Sequence, residues 1–318
     1  MAVNADKPTL WKADIARSVD FFNQWFMEFA PSTYRERRSE AAVRVARALE
    51  VTDQLSRLDA DALRQHPETL PILRAATAPP IARDRLIGLA SVKKSMVERM
   101  ERAGKLPVRM SGAELDDQLQ KLATLINRLL DRDIFPWLDQ PEPPDAQMLA
   151  RAATIVADRL CGAESDPIIR NEQERRQLAS IARFLDERGY REATPAERSD
   201  LQQLRPGSYS FRYNVTVEQA SGRTVRIPID AVVARKRSDN PLPLLIEAKS
   251  AGDFTNTNKR RKEEAQKVAQ LRATLGPNVS YILFLCGYFN PGYLGYEAAE
   301  GIDWVWEHRI ADLEQFGV

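Results

Sequence analysis

The sequence has few of the residues that would indicate a disulfide-bonded, zinc-binding or histidine-dependent protein. Its 318 residues include two cysteines, Cys161 and Cys286, and two histidines, His66 and His308. Two cysteines this far apart define no disulfide framework, and no Cys/His spacing is typical of a zinc site. We therefore expect a protein of a reducing, cytoplasmic environment.

Long apolar stretches and several common catalytic motifs are also missing. The longest apolar run, 281–289, is far too short to cross a bilayer, and charged residues interrupt the N-terminal segment where a signal peptide would lie. The sequence contains no P-loop, dinucleotide fingerprint, Gly-x-Ser-x-Gly elbow or plausible histidine-based triad. These absences argue against a membrane protein, a nucleotide-dependent enzyme and a serine hydrolase.

Charge is nearly balanced overall but unevenly distributed. The net charge is +1, so the whole chain gives no sign of nucleic-acid binding. Two stretches, 83–109 and 235–262, each contain eight lysines and arginines against three acidic residues. Either stretch could face phosphates, and either could equally be an ordinary solvated surface.

The first half of the chain has the apolar spacing of amphipathic helices. Apolar residues recur every three or four positions from Leu10 onward, and this first helix is expected to end at Pro31. The proline-rich segment 139–145 (DQPEPPD) is the best candidate for a linker. We therefore predict an α-helical N-terminal domain over 1–145 and a second domain over 146–318.

The second half alternates between strand-like and helix-like patterns. The predicted elements are a helix over 170–188, strands over 209–218, 224–234 and 242–248, a helix over 259–275 and a strand over 279–285. The last strand–helix–strand step predicts a parallel, right-handed crossover. The fold class is therefore mixed α/β, with an αβββαβ core.

Three charged residues lie on neighbouring predicted strands. Glu247 and Lys249 end the third strand and, being two residues apart, point to the same face, while Asp230 lies on the hairpin partner strand. Two carboxylates and an ammonium at one point suit a Mg²⁺ ion that binds a phosphodiester and polarises a water molecule. A lone Glu-x-Lys is common, and the alternative is a polar strand end that reaches solvent. The very apolar strand, the preceding Asp230 and the basic helix that follows favour the catalytic interpretation.

This arrangement and element order resemble the PD-(D/E)XK nuclease superfamily, with a restriction-endonuclease-like core. The proline that usually precedes the aspartate is displaced, because Pro228 lies one residue before Ile229. A closer resemblance is carried by NADKP (4–8), NQWF (23–26), TAPPIARDRLIGL (77–89), DPIIRNEQERRQL (166–178), LLIEAKSAGDFTNTNKRRKEEAQK (244–267) and LCGYF (285–289). On these segments the chain resembles the XamI-type family of type II restriction endonucleases.

The resemblance implies sequence-specific cleavage of double-stranded DNA by a Mg²⁺-dependent homodimer, at a short palindrome such as GTCGAC. It implies that Asp230 and Glu247 bind the metal while Lys249 acts on the attacking water. The helical N-terminal domain would clamp DNA and contribute to recognition and dimer contacts. A cognate DNA methyltransferase is expected as a functional partner rather than a bound subunit.

The same resemblance points to a fourth acidic residue. In superfamily members, an acidic residue on the first core helix often joins the metal site, and Glu172 is the best match, with Glu174 second. Spacing alone favours a different interpretation, in which Glu172 is a surface carboxylate paired with Arg176 four residues later.

Basic residues in two places are candidates for contacting DNA. Lys259, Arg260, Arg261 and Lys262 open the helix after Lys249, and Gln266 lies one turn further, where it could support Lys249 or a phosphate. Arg83 and Arg85 follow a diproline and are suited to reading guanine. The alternatives are a solvated basic run in the first case and an internal salt-bridge cluster in the second.

Two other functions stay open on sequence alone. One is a repair or recombination nuclease that reads DNA structure; the Gln-x-x-x-Tyr signature of the processive exonucleases is absent, because Gln270 follows Gln266 at the fourth position. The other is a non-catalytic DNA-binding protein with the same fold, against which the intact Asp230, Glu247 and Lys249 argue.

Overall fold

The computed structural model describes residues 2–218, 222–237, 240, 242–254 and 257–318, apart from the side chains of Ser199, Gln202 and 257–262. The chain forms two compact units, one of Met1–Phe29 with Arg170–Val318 and the other of Ala30–Ile169. The domain boundary predicted at residue 145, after the proline-rich segment 139–145, stays a prediction. The compact units have other limits, because the first 29 residues belong with the sheet-containing unit.

The unit Ala30–Ile169 is helical in the part that the structure describes, as the apolar spacing predicts. Two long helices, α1 (Pro8–Val51) and α7 (Ala146–Glu187), each contribute one end to it. Between them lie α2 (Ala60–Gln65), α3 (Leu70–Ala75), α4 (Arg83–Ala90), α5 (Lys94–Ala103) and α6 (Gly112–Leu129). Ser111 caps the start of α6, because its hydroxyl accepts a hydrogen bond from the Glu114 amide. The helix buries Leu115, Leu119, Leu122 and Ile126 in the core of this unit.

The expectation that the first helix ends at Pro31 is wrong, because α1 runs through this residue and is 44 residues long in all. Helix α7 likewise runs unbroken through Pro167, whereas the helix predicted from the sequence begins only at residue 170. A proline inside a helix removes one backbone donor and crowds the carbonyl four residues earlier. Burial of side chains on both sides outweighs this cost: in α1, Phe22 lies before the proline and Ala41 and Val45 after it.

The other unit contains a six-stranded mixed sheet in the order β1 to β6. The strands are β1 (Arg191–Glu192), β2 (Ser208–Glu218), β3 (Thr224–Ala234), β4 (Leu244–Ala251), β5 (Ser280–Gly287) and β6 (Asp303–Trp306). Strands β2, β3 and β4 are antiparallel neighbours, whereas β5 lies parallel to β4 after the crossover helix α8 (Thr257–Leu275). The predicted mixed α/β fold with an αβββαβ core is therefore confirmed. Helix α9 (Pro291–Ala299) and β6 extend this core.

Alternation along the strands gives the sheet two differently covered faces. One face carries Ile246, Phe284 and Val233 and packs against Ile181 and Leu185 of α7. The opposite face carries residues such as Leu245 and Leu283 and packs against Val268 and Leu271 of α8. Because side chains alternate, positions 245, 247 and 249 all lie on the α8 side.

The N-terminal segment is tied to the end of the sheet by buried polar contacts. The Asn4 side chain is buried and donates to the Trp304 carbonyl at 2.8 Å and to the Asp312 carboxylate at 3.0 Å. Arg309 donates to Asn4 and to Asp14 of α1. The segment NADKP is thus structural, and it explains why the first residues belong with this unit. No described helix is long and apolar enough to span a membrane.

A buried ion pair fixes α7 to the chain beyond β6. Arg176 donates to Glu307 at 2.8 Å and to the Cys286 sulfur at 3.3 Å, and its guanidinium lies 4.6 Å from the centre of the Trp25 ring. Arg176→Met is expected to lower the free energy of unfolding by about 3 kcal/mol, because it leaves the Glu307 carboxylate buried without its cation. Urea denaturation of both proteins measures this difference.

Arg175→Met is the matched control for that experiment. Arg175 is the preceding residue on α7, its side chain is 73% exposed, and its partner Glu172 lies one turn earlier. A surface pair of this kind contributes little, so the control should stay within about 0.5 kcal/mol of the wild type. Equal losses in the two variants would contradict the importance of the buried pair.

Candidate active site

Asp230 lies on β3 and contacts the backbone of β4 directly. Its Oδ2 atom accepts a hydrogen bond from the Ala248 amide at 2.8 Å. The strand register pairs Ala231 with Ile246, so the next residues along the two antiparallel strands are Asp230 and Glu247. The hairpin therefore brings the two carboxylates together, as the sequence predicts from strand geometry.

Glu247 and Lys249 project together from the end of β4. The Lys249 Nζ atom lies 3.0 Å from Glu247 Oε1. Glu247 is buried, with 7% of its surface exposed, while Lys249 is half-buried. Ala248 between them packs on the opposite face, toward α7. The structure thus brings the three residues Asp230, Glu247 and Lys249 to one place.

Helix α8 adds two charged side chains to this cluster that the sequence analysis did not identify. Glu264 lies 2.7 Å from the Lys249 ammonium, and Lys267 lies 2.5 Å from Glu247 Oε2. Glu264 lies four residues before Val268, and Lys267 lies four residues before Leu271; both of these apolar residues pack on the sheet. That spacing was the available signal, because charged residues in register with the buried face of α8 must point toward the strand ends.

The electrostatics of the cluster follow from burial and from neighbouring charges. Burial, reinforced by the negative charge of Glu247, raises the pKa of Asp230 to about 6. Burial opposes the charge on Lys249, but the carboxylates of Glu247 and Glu264 outweigh it and raise the pKa of this lysine above its ordinary value. Lys249 is therefore an ammonium at neutral pH, and the Asp230 carboxylate is held where a nearby cation would favour its ionised form.

The donor set fits a magnesium ion. Mg²⁺ in enzymes of phosphate chemistry is commonly held by one or two carboxylates, with waters and substrate oxygens completing its shell. Asp230 and Glu247 supply two such carboxylates side by side. Among the residues that the structure describes, no group of three or more acidic, cysteine or histidine side chains surrounds one cation position. The pair of carboxylates suits an ion that keeps part of its shell for water and phosphate.

The two candidate acidic residues of α7, Glu172 and Glu174, each pair with an arginine. Glu172 pairs with Arg175 at 2.7 Å rather than with Arg176, and Glu174 pairs with Arg212 at 3.1 Å. Gln177 of α7 reaches the end of β4; it is buried and donates to the carbonyls of Lys249 at 3.4 Å and Phe284 at 3.2 Å.

The candidate DNA contacts lie in both units. The side chains of Lys259, Arg260, Arg261 and Lys262, at the start of α8, lie outside the described part of the chain. Gln266 is exposed on α8. In the helical unit, Arg85 is exposed, whereas Arg83 makes long ion pairs of 3.6 Å with Asp84 and 3.8 Å with Glu98.

A further carboxyl group lies behind the cluster. Glu297 of α9 is fully buried, and burial together with the charge of Glu264 raises its pKa to about 8. The folded chain therefore holds a proton on Glu297 that the unfolded chain releases near pH 4 to 5. Between about pH 5 and 8 the folded state binds more protons, so its stability declines as the pH rises.

Glu297→Gln is expected to remove this contribution. Relative to the variant, the wild type should lose up to about 1.4 kcal/mol of unfolding free energy for each pH unit across that window. Urea denaturation at pH 5.5, 6.5 and 7.5 measures the difference. Glu263→Gln, at an exposed position of α8, is the control and should follow the wild type at all three values. A Glu297→Gln difference that does not change with pH would contradict the assignment.

Sequence comparison relates the chain to restriction enzymes. The protein-family model described as XamI restriction endonuclease matches residues 53–306. The type II restriction enzyme SalI of Streptomyces albus G is 52% identical over 316 residues, covering 99% of each chain. Among solved structures, protein VC1899 from Vibrio cholerae aligns with a TM-score of 0.30 and 14% identity, over 80% of this chain and 55% of that one. This structural similarity is too low to carry an argument, whereas the sequence similarity extends over nearly the whole length.

Proposed function

The chain belongs to the XamI restriction endonuclease family. We propose that it is a Mg²⁺-dependent type II restriction endonuclease that cuts double-stranded DNA, with an active site formed by Asp230, Glu247 and Lys249. The observation that carries this proposal is the meeting of the half-buried Asp230 carboxylate, the buried Glu247 carboxylate and the Lys249 ammonium where β3 and β4 lie side by side. Burial and the charge of Glu247 raise the pKa of Asp230 to about 6, so a bound cation would stabilise the ionised form of this carboxylate.

The three residues have different roles in the proposed reaction. Asp230 and Glu247 would hold the ion, with Glu172 proposed as a third acidic member of the metal site. Bound Mg²⁺ supplies a Lewis acid for a phosphate oxygen and lowers the pKa of water. Lys249 donates hydrogen bonds to the attacking water or the phosphate and offsets negative charge that develops on the phosphorus oxygens. Attack by the water oxygen on phosphorus breaks one P–O ester bond, leaving a phosphate on one DNA end and a hydroxyl on the other.

We further propose that the enzyme acts as a homodimer on a short palindrome. Two copies related by two-fold symmetry would present one site to each strand, so that both strands of a palindrome are cut in equivalent positions. The resemblance to the XamI-type family suggests a site like GTCGAC. A cognate methyltransferase that protects the host DNA would be a functional partner, and a cytoplasmic location follows from this role.

Basic residues of both units would hold the DNA backbone. Lys259, Arg260, Arg261 and Lys262 follow the catalytic strand and are proposed to contact phosphates, with Gln266 beside them. Arg83 and Arg85 of α4 are proposed contacts from the helical unit, where Arg85 is exposed. Such contacts make binding depend strongly on salt concentration.

Digestion of plasmid DNA tests the proposed function. Purified protein with Mg²⁺ should convert plasmids of known sequence into discrete fragments whose ends map to one short palindrome, and EDTA should prevent the reaction. Plasmids that lack the mapped site should stay intact. Unchanged plasmid in Mg²⁺ and in Mn²⁺, across several unrelated sequences, would refute a restriction activity. Fragments of random length would indicate a nuclease without sequence specificity.

A further inference from the structure

The catalytic lysine is held by a second carboxylate, on the helix that follows it. We propose that Glu264 is a positioning residue that keeps the Lys249 ammonium in place during DNA cleavage, and that Tyr281 fixes the orientation of the Glu264 carboxylate. This inference rests on the proposed function, since it concerns how the same site is maintained. Glu264 need not touch DNA or the metal to act in this way.

The geometry around Lys249 supports this assignment. Its Nζ atom lies 2.7 Å from Glu264 Oε1 and 3.0 Å from Glu247 Oε1, so the shorter of the two contacts is to the helix. The Glu264 side chain is 3% exposed and that of Lys249 is 21% exposed. A carboxylate this well buried beside an ammonium makes a stronger and more directional contact than a surface pair.

The second oxygen of Glu264 is occupied as well. Tyr281 lies on β5, the strand parallel to β4, and its hydroxyl donates to Glu264 Oε2 at a distance of 2.7 Å. Burial, with added repulsion from the charges of Glu247 and Glu264, raises the pKa of Tyr281 well above its ordinary value, so the phenol remains a donor. The carboxylate is therefore fixed from both sides and cannot turn away from Lys249.

Metal binding explains why a second partner for Lys249 is needed. Glu247 contacts both Lys249 and Lys267, and in the proposed reaction it must direct its oxygens to the ion. A Glu247 carboxylate that held the ion would give Lys249 a weaker contact. The two oxygens of Glu264 contact Lys249 and Tyr281, so this carboxylate would hold the lysine throughout the reaction and limit the number of positions that the ammonium samples.

Glu264→Gln is the first test. The neutral amide loses the charge but keeps the volume of the side chain, and cleavage in single-turnover reactions should slow by about 10- to 100-fold. Affinity for cognate DNA, measured with Ca²⁺ in place of Mg²⁺, should change less than about twofold, because Glu264 touches neither DNA nor metal. Glu263→Gln, the exposed neighbour on α8, is the matched control and should cleave at the wild-type rate.

Tyr281→Phe is the second variant and removes only the hydroxyl that orients Glu264. It should slow cleavage by about 10-fold with unchanged DNA affinity. Thermal unfolding of all variants shows whether they fold. If Glu264→Gln fails to fold, Tyr281→Phe still tests the proposal, and wild-type cleavage by a folded Tyr281→Phe would then overturn it.

A double-mutant cycle separates positioning of Lys249 from a general structural role. If Glu264 acts through Lys249, Glu264→Gln should slow wild-type cleavage but have almost no further effect on the residual activity of Lys249→Ala. Additive losses would overturn the proposal. Loss of Ca²⁺-dependent DNA binding in Glu264→Gln would also overturn it, because Glu264 would then be a metal ligand. A wild type that cuts no DNA refutes the proposed function, whereas a wild-type rate in Glu264→Gln refutes only this inference.

A spectroscopic measurement gives a readout that is independent of cleavage. In metal-free protein with ¹⁵N-labelled lysine, the Lys249 ammonium should give a resolved Nζ signal, because two buried carboxylates slow its proton exchange with water. The signal should persist in Glu263→Gln and broaden or vanish in Glu264→Gln, and Lys249→Ala assigns it. An unchanged signal in Glu264→Gln would contradict a holding role for this carboxylate.

Discussion

Lys249→Ala is expected to bind cognate DNA with near wild-type affinity and to cleave it about 10³-fold more slowly. The truncation removes the ammonium that would contact the attacking water or the phosphate, and donors of this kind typically contribute two to three orders of magnitude. The end of β4 should keep its structure in this variant, because Lys267 still pairs with Glu247. Single-turnover cleavage with Mg²⁺ and DNA binding with Ca²⁺ measure the two properties separately.

Lys121→Ala is a suitable control for this experiment. Lys121 is an exposed lysine of α6 in the helical unit, paired with Asp117 on the helix surface. Its removal should alter neither property. Wild-type cleavage by Lys249→Ala would exclude this lysine from the reaction, and the assignment of the active site would then have to be abandoned.

Asp230→Asn should abolish cleavage by a different route. The amide oxygen can still accept from the Ala248 amide, so the hairpin contact should survive while the negative charge is lost. We expect a rate about 10³-fold below that of the wild type, together with loss of the increase in DNA affinity that Ca²⁺ produces, because one of two proposed metal ligands is gone. Titration calorimetry with Ca²⁺ in the presence of cognate DNA measures the metal directly.

The control here is Asp133→Asn, an exposed aspartate of the helical unit. It should match the wild type in both rate and metal affinity. If Asp230→Asn keeps its metal response and its activity, a different pair of carboxylates must hold the ion. Comparing Lys249→Ala with Asp230→Asn is informative, because only Asp230→Asn is expected to weaken metal binding.

The central residues of the site were predictable because strand geometry is simple. Side chains two apart on a strand share a face, so Glu247 and Lys249 could be placed together without a structure. Asp230 could be added because a hairpin aligns β3 with β4. The order strand, helix, strand predicted the parallel crossover through α8, and both the hairpin and the crossover agree with the structure.

The helical partners were not predictable with equal accuracy, because a helix turns by about 100° at each residue. The spacing from Lys262 predicts that Gln266 supports Lys249 or a phosphate, and Gln266 is exposed on α8. On the buried side of α8, Glu264 contacts Lys249 and Lys267 contacts Glu247. Only the packing of Val268 and Leu271 on the sheet determines which side of this helix faces the strand ends.

The sequence also did not predict that the two long helices, α1 and α7, are continuous. Local rules treat a proline as a stop, and they fail at Pro31 and Pro167 because burial along the flanking turns outweighs one lost hydrogen bond. The short strand β6 has four residues and no alternating pattern, and only its pairing with β5 reveals it. Tertiary contacts thus decide the features that local propensity leaves undetermined.

The most direct test of the proposed active site is the position of the metal. Crystals of the protein with cognate DNA, grown with Ca²⁺ and soaked briefly in Mn²⁺, should show anomalous density between the carboxylates of Asp230 and Glu247, next to a DNA phosphate and with Lys249 on the same side. Anomalous density at any other place, or DNA bound away from the ends of β3 and β4, would contradict this account.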